Sequence, residues 1–400
     1  MRIFVIVFVT MFHRNLTHQL QTILNMEKSV LLIGPRQTGK TTLVRSLNAD
    51  LYLNLLDPQT YTRYLAYPQL LKQEILVLRT RPPSRPLVVL DEVQRIPQLL
   101  DAVQILIDDG IAQFVLTGSS VKKLTNLLPG RVFRCVMDPL SLTEIQVSGA
   151  DLEALLFYGT LPGIYTLADV AGKEMALDSY FHIYLEEEIR REALVRRLGP
   201  FSRFWEAMCQ QSGKPISFRA LSQDIGVTHA TISAYVALLE ESLLLERFDP
   251  ISKSQSRSRL SKSSKYCLFD MGIRRVGARE GTAVSREQMG HLFEHYIGLE
   301  LRRLCRGYSH VRVKFWRDAN GPEVDWILDA GTDFIPIEVK YSETPSLKDT
   351  RHVQTFMREY PSSHGYVVCQ TPYPYALTDS ITAIPWWELP TWCQSALKKD

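Results

Sequence analysis

The sequence predicts an α/β protein whose first domain is built on a parallel sheet, and three observations carry that prediction. Gly34-Pro35-Arg36-Gln37-Thr38-Gly39-Lys40-Thr41-Thr42 reads as G-x-x-x-x-G-K-[ST], a phosphate-binding loop. It stands between the apolar run Ser29–Ile33 and the helix-like Thr41–Leu47, so its glycines fall where a strand passes into a helix. A second apolar run, Leu87–Leu90, ends in the acid pair Asp91-Glu92, and a third, Phe114–Leu116, ends in the hydroxyls of Thr117, Ser119 and Ser120. Apolar runs of this length suit strands buried on both faces. Open α/β sheets place their ligands at the carboxyl ends of such strands.

Length and composition set the frame. Four hundred residues exceed one typical core. The chain is therefore divided into residues 1–150, 151–265 and 266–400. Apolar residues make up 45% and charged residues 22%, ordinary for a globular protein, and a net charge of +3 gives no bulk argument for a polyanionic partner. The six cysteines are scattered without a C-x-x-C pair, which fits unpaired thiols in a reducing cytoplasm and argues against a structural zinc site. The opening run Ile3–Phe12 is shorter than the about 20 apolar residues that cross a bilayer. It reads as an extra strand, or as an over-extended start with Met11 the first residue. With no other transmembrane pattern, the expectation is a soluble cytoplasmic protein without a membrane partner.

Taken in order, residues 13–26 carry Leu16, Leu20, Ile23 and Leu24 at helical spacing and lead into the first strand. In the loop, glycines let the backbone wrap an anion, and the helix start points amides at it. Lys40 is expected to reach the outer phosphates and Thr41 to hold magnesium. Leu51–Leu55 alternates like a strand, a helical stretch runs from 58 to about 79, and Arg81–Pro86 is a Pro-rich turn. At the end of Leu87–Leu90, Asp91 is expected to bind magnesium through water and Glu92 to polarise the attacking water. Ser119 is a candidate for contact with the outer phosphate or that water, the plain alternative being a serine-rich turn. Arg131 or Arg134 is a candidate arginine finger, or else a surface arginine.

These runs resemble the AAA-type P-loop ATPases of prokaryotes in which a domain of unknown function follows the ATPase core. The residues that carry the resemblance are the phosphate loop, Tyr52-Leu-Asn-Leu, Leu90-Asp-Glu-Val-Gln-Arg95, Leu116-Thr-Gly-Ser-Ser120, Gly130-Arg131 and Pro139-Leu-Ser-Leu. It continues through Tyr158-Gly-Thr-Leu-Pro162-Gly and Tyr184-Leu-Glu-Glu-Glu188-Ile, and covers about residues 15 to 345. It implies an AAA/RecA-like P-loop NTPase sheet that binds and hydrolyses ATP with magnesium. Such proteins often carry a basic residue near Glu187. Three consecutive glutamates stand there, which puts a lid arginine from that helix in doubt.

Residues 217–248 read as a helix-turn-helix within a winged-helix module. Ser217 caps one helix, Gly226-Val227 turns, and Thr228 caps the next. From Ala220 to Glu246 there is no lysine or arginine, so direct DNA reading by this helix lacks its phosphate contacts, and a packing or coupling role is preferred. Ser252–Lys265 is basic and Ser-rich, either a mobile wing touching nucleic acid or a solvated linker.

In the last part, Met289, Leu292, Phe293, Tyr296, Ile297 and Leu304 mark one helix face, with Glu294 beside it. Val311–Trp316 and an apparent hairpin, Gly321–Leu328 with Phe334–Lys340, come next. Glu338 and Lys340, two apart on a strand, share a face. This looks like a PD-(D/E)XK, restriction-endonuclease-like α/β core, with Glu294, Asp325, Glu338 and Lys340 as its site and Gln354 and Tyr360 as an accessory motif. The tail's tryptophans are expected to close that core. Three functions compete: an ATPase working as switch or motor on a protein partner, an ATP-regulated metal-dependent nuclease acting on DNA, and a nucleotide-binding adaptor with an inactive nuclease-like domain. A homo-oligomer is compatible with each.

Overall fold

A computed structural model of the chain describes residues 12–80, 85–119, 130–145, 151–184, 198–251, 263–318 and 321–397, the side chains of 183, 184 and 198 excepted. Ile3–Met11, Ser120, Leu128-Pro129, Glu186–Glu188, most of the Pro-rich turn and the basic segment up to residue 262 lie outside them. The contacts divide the chain into two compact units. One holds the residues up to Leu140 with Leu161–Thr166 and Glu241–Leu244, and the other holds the rest.

In the first unit, β1 (Ser29–Ile33), β2 (Leu51–Asn54), β3 (Leu87–Asp91), β4 (Gln113–Gly118) and β5 (Val132–Val136) form a parallel sheet in the order β2-β3-β4-β1-β5. Alternate residues of each strand feed two cores. Leu31, Val88, Leu90, Phe114 and Leu116 pack with Tyr64 of α3 (Pro58–Ala66), Leu71 and Ile75 of α4 (Leu70–Leu78) and Leu100 and Val103 of α5 (Leu99–Asp108). Val30, Leu32, Val89 and Val115 pack with Leu20 and Ile23 of α1 (Leu16–Asn25) and Leu43 and Val44 of α2 (Lys40–Arg45). Each such side chain contributes about 1.5–3 kcal/mol when fully buried, so helices and sheet hold together as three layers. The single helical stretch expected over 58–79 is two helices. The break falls at Tyr67, whose φ of −135° is extended, because a residue before proline is pushed out of the helical region.

Among the described residues, the second unit contains most of the remaining helices and two sheets. Its helical part comprises α6 (Leu152–Tyr158), α8 (Val170–Ser179) with a π turn at Tyr180–Tyr184, α9 (Leu198–Gln210), α10 (Phe218–Ile225) and most of α11 (His229–Glu241), while the short α7 (Pro162–Tyr165) belongs to the first unit. Ser217 accepts from the Ala220 amide at 3.4 Å, Gly226 takes φ +76°, and Thr228 accepts from the Thr231 amide at 3.1 Å, so the turn chemistry read from the sequence is present. β6 (Leu245–Phe248) and β7 (Lys265–Leu268) pair antiparallel. α12 (Met271–Gly277) is capped by the buried Asp270, whose carboxylate also accepts from Thr160 N at 2.8 Å. A Cβ on Gly159 would meet that carboxylate at 2.1 Å, which explains the glycine of the Tyr158-Gly-Thr run.

The long α13 (Arg286–Cys305) opens on a Ser285–Gln288 capping box. It precedes β8 (Arg312–Arg317), β9 (Glu323–Asp329) and β10 (Phe334–Val339), an antiparallel meander. α14 (Arg351–Glu359) then leads to β11 (Gly365–Cys369), parallel to β10, and β12 (Tyr375–Thr378), β13 (Ile381–Pro385) and α15 (Leu389–Leu397) complete the order β12-β13-β11-β10-β9-β8. A Cβ on Gly298 would lie 2.2 Å from the Trp326 ring, so glycine is what lets α13 lie close on β9. Tyr360 stacks on Phe356 at 4.4 Å inside the core. Trp386 is buried and Trp392 packs on Tyr366 at 4.0 Å. Among the described residues, no helix is long and apolar enough to cross a membrane.

Candidate functional site

At the carboxyl end of β1 the chain enters the loop Gly34–Gly39. A Cβ on Gly34 would lie 2.3 Å from the Met137 carbonyl oxygen, so only glycine passes beneath the end of β5. Gly39 takes φ +98°, a left-handed turn that starts α2. Lys40 is buried and its ammonium donates to the carbonyls of Gly34 at 2.8 Å and Pro35 at 2.9 Å, inside the curl of the loop. Thr38 is fully buried and its hydroxyl donates to Pro35 O at 2.9 Å. Arg14, ahead of α1, donates to Thr38 O at 2.5 Å and Asp138 O at 2.6 Å, clamping the loop from outside.

Across the strand ends stands Asp91, fully buried at the end of β3. Three hydroxyls donate to its carboxylate: Thr41 at 2.8 Å and Tyr52 at 2.8 Å to one oxygen, and Thr117 to the other. Burial, reinforced by the Asp91 carboxylate, raises the Tyr52 phenol above its ordinary value and keeps it a donor. Thr117 also accepts from the Glu92 amide at 2.9 Å. Glu92 sits at φ +62°, an uncommon backbone for a side chain, and that amide contact helps to hold it. Its carboxylate accepts from the Gln94 amide at 2.6 Å, which also reaches Ser119 Oγ at 3.2 Å. The hydroxyl and carboxylate oxygens of Thr41 and Asp91 are the hard donors that magnesium prefers.

Arg131 is elsewhere. Val132 of β5 is level with Ser29, the first residue of β1, so Arg131 stands at the amino ends of the strands, paired with Asp108 at 2.7 Å. One sheet length separates it from the loop, and the arginine-finger expectation does not hold for Arg131 within its own chain. Arg14, Thr117 as a bridge and Gln94 as the Glu92 partner are roles that the sequence alone did not assign. Thr117 and Gln94 stand inside recognisable runs, Leu116-Thr-Gly and Asp91-Glu-Val-Gln, whereas Arg14 carries no local signal.

The second unit gathers the other candidates. Lys340 donates to Glu338 Oε1 at 2.7 Å, and Asp325 Oδ2 accepts from Val339 N at 2.8 Å. Glu294, on α13, is paired with a residue that sequence reasoning missed: the buried Lys265, whose ammonium lies 2.6 Å from Glu294 Oε1 and 3.4 Å from the Asp325 carbonyl. It also lies 5.0 Å from the Phe315 and Trp326 ring centres. Burial pushes the Glu338 carboxyl up to about 7 against the pull of Lys340. Burial and the charges of Glu338 and Glu294 hold Asp325 well above the ordinary carboxylate range. Glu338 Oε2 is buried without a hydrogen-bond partner. Among the described residues, no three His, Cys, Asp or Glu side chains converge to hold a metal ion.

Residues 26–146 match the family described as AAA domain, residues 149–280 match Domain of unknown function (DUF8612), and residues 289–389 match Domain of unknown function (DUF4143). Uncharacterized proteins of Mycobacterium bovis and Mycobacterium tuberculosis are each 25% identical over 388 residues, spanning 93% of this chain and 83% of theirs. Among solved structures, a Walker-type ATPase of Pyrococcus abyssi shares 14% identity over 67% of this chain and 96% of that one, with a TM-score of 0.45. A STAND protein with a tetratricopeptide repeat sensor from Pyrococcus horikoshii shares 12% over 75% and 46%, with a TM-score of 0.27.

Proposed function

Given that the chain opens with an AAA-type P-loop ATPase domain, we infer that it binds ATP with magnesium and hydrolyses it, using the cycle as a switch or motor on a protein partner. The observation that supports this best is the carboxylate of Asp91 joined to Thr41 Oγ1 at 2.8 Å, with Glu92 next to it and the phosphate loop facing both. The triphosphate lies along the Gly34–Thr42 loop. Lys40 would turn from the loop carbonyls to the outer phosphates, and Thr41, with Asp91 through water, would hold magnesium, which would supply charge neutralisation there. Glu92 takes up the water proton, with Ser119 beside the outer phosphate. Arg131 of the same chain takes no part.

Glu92→Gln tests this reading. Its ATP turnover should fall by about 10²–10⁴-fold, the range for a general base, while calorimetry still registers ATP binding. Unchanged turnover in Glu92→Gln, or no heat from wild-type protein with ATP, ADP or GTP, overturns it.

For the second unit, the helix-turn-helix with its antiparallel β6–β7 pair serves as a winged-helix coupling module rather than a DNA reader, since residues 220–246 carry no lysine or arginine. The order helix, three antiparallel strands, helix, parallel strand, with Asp325 and Glu338 on adjacent strands, supports a restriction-endonuclease-like fold. A working nuclease of that kind would call for a divalent cation. The Lys265 contacts do not fit one, so an inactive nuclease-like scaffold is preferred for this domain and no cleavage step is derived.

A further inference from the structure

We propose that the ammonium group of Lys265 is the built-in counter-ion of Glu294 beside the Asp325 and Glu338 carboxyls, so that this group of charges is assembled without a divalent cation. The inference deepens the reading of that domain as non-cutting and is independent of the ATPase.

The geometry is that of an ammonium site. Lys265 is 3% exposed, its Nζ faces one oxygen of Glu294 and the main-chain oxygen of Asp325, and the Phe315 and Trp326 rings lie 5.0 Å away. Lysine ammonium groups are attracted to ring faces. Magnesium requires near-octahedral oxygens at about 2.1 Å and gives up its waters reluctantly, so a pocket walled by Phe315 and Trp326 suits it poorly. Charge matches the geometry. Glu294, Asp325 and Glu338 bring three carboxyl groups, and Lys265 and Lys340 bring two ammonium groups, each bonded to a different glutamate. A dication placed among them would face two fixed cations.

Lys265 is held where it is by the fold. It opens β7, whose pairing with β6 sets Lys265 opposite Phe248, and Phe248 packs on Trp326 at 4.8 Å. The lysine is thus delivered by the β6–β7 pair to the side chains of α13, β9 and β10. Removing it leaves the partly buried Glu294 without its cation, and a cation from solution would then have a reason to enter.

The test tracks thermal unfolding of the full chain against MnCl2, without nucleotide and in an Asp91→Asn background, so that the nucleotide site does not contribute. Wild-type Lys265 should give a transition indifferent to millimolar Mn2+. Lys265→Ala should lower the second unit's transition by several degrees, and Mn2+ should restore part of that loss. The double variant Lys265→Met/Glu294→Gln, which removes both charges, should fold and ignore Mn2+, and it decides the matter if Lys265→Ala does not fold. A Mn2+-dependent rise with Lys265 present that disappears in Asp325→Asn overturns the proposal. So does a Lys265→Ala protein as stable as its parent, or a double variant that fails to fold. Mn2+-dependent DNA cutting by the wild type would sink the non-cutting reading as well. ATP turnover, measured separately in chains with Asp91 intact, is not moved by any of these outcomes.

Discussion

At the scale of the residue, the nucleotide site is defined less by its motif letters than by how their oxygens are saturated. Thr117 shows this. Its hydroxyl donates to Asp91 and accepts from the Glu92 amide, and it is fully buried. Thr117→Val keeps the shape and removes both bonds, leaving a buried amide and a carboxylate oxygen unpaired. The expected cost is about 1–3 kcal/mol, read as a lower unfolding midpoint of the first unit, with Thr117→Ser near wild type. A Thr117→Val protein of full stability and turnover would contradict the bridging role. His295 is a second case. It is 1% exposed, its Nε2 lies 3.1 Å from Leu268 O, and burial, with Arg274 and Arg303 nearby, lowers its pKa to about 3. Folded His295 therefore stays neutral where the unfolded chain takes up a proton. Stability is lost as pH falls from about 6.5 towards 3, at roughly 1.4 kcal/mol per pH unit. Glu338 slopes the other way: its raised carboxyl favours the folded state at low pH, and that contribution is lost as pH rises through about 7. The two overlap, so the measurement is a difference. His295→Gln should be less stable than wild type at pH 7.5, and the gap should narrow by pH 5; a constant gap rules out the histidine as the cause.

At the scale of the element, β1, β3 and β4 were legible because a parallel strand buried on both faces is an unbroken apolar run, and the polar residues just past the end of each run make up the site. α13 was legible from its apolar face, and the hairpin of β9 and β10 from paired runs around a turn. The rest depends on contacts that local sequence does not encode. Arg131 reads as a candidate finger, a cation that could neutralise transition-state charge, or else as a surface arginine. β5 runs parallel to β1, and that places Arg131 at the far end. Lys265 looked like the last residue of a solvated basic segment, yet pairing of β7 with β6 takes it into the interior. Only a lysine opening the apolar run Tyr266-Cys-Leu hinted at it. The glycines offer a test of how tightly β1 and β5 set the loop. Gly34→Ala puts a methyl 2.3 Å from a main-chain oxygen, which cannot swing away as a side chain would. It should lose ATP binding more than tenfold by calorimetry. Gly163→Ala, with open space around its Cβ and no left-handed φ, should bind as wild type. Equal affinity in both would mean that the loop tolerates a shift of β5.

At the scale of the whole molecule, two compact units with separate cores imply two unfolding events, and nucleotide should act on one of them. The phosphate loop, Asp91, Glu92 and both cores around the parallel sheet belong to the first unit. The carboxylate cluster and the mixed sheet belong to the second. A ligand stabilises what it binds by RT ln(1 + [L]/Kd), about 2.7 kcal/mol at a hundredfold excess over Kd. Calorimetric scans with saturating ATP and magnesium should therefore raise one transition by several degrees. Lys40→Ala should abolish that rise, and Lys265→Ala should lower only the other transition. If ATP raised both transitions together in wild type and Lys40→Ala removed both shifts, the second unit would be drawing stability from the nucleotide. That outcome would replace the picture of separate cores with one cooperative body, and it would make the ATP cycle's output a change in the second unit's own stability.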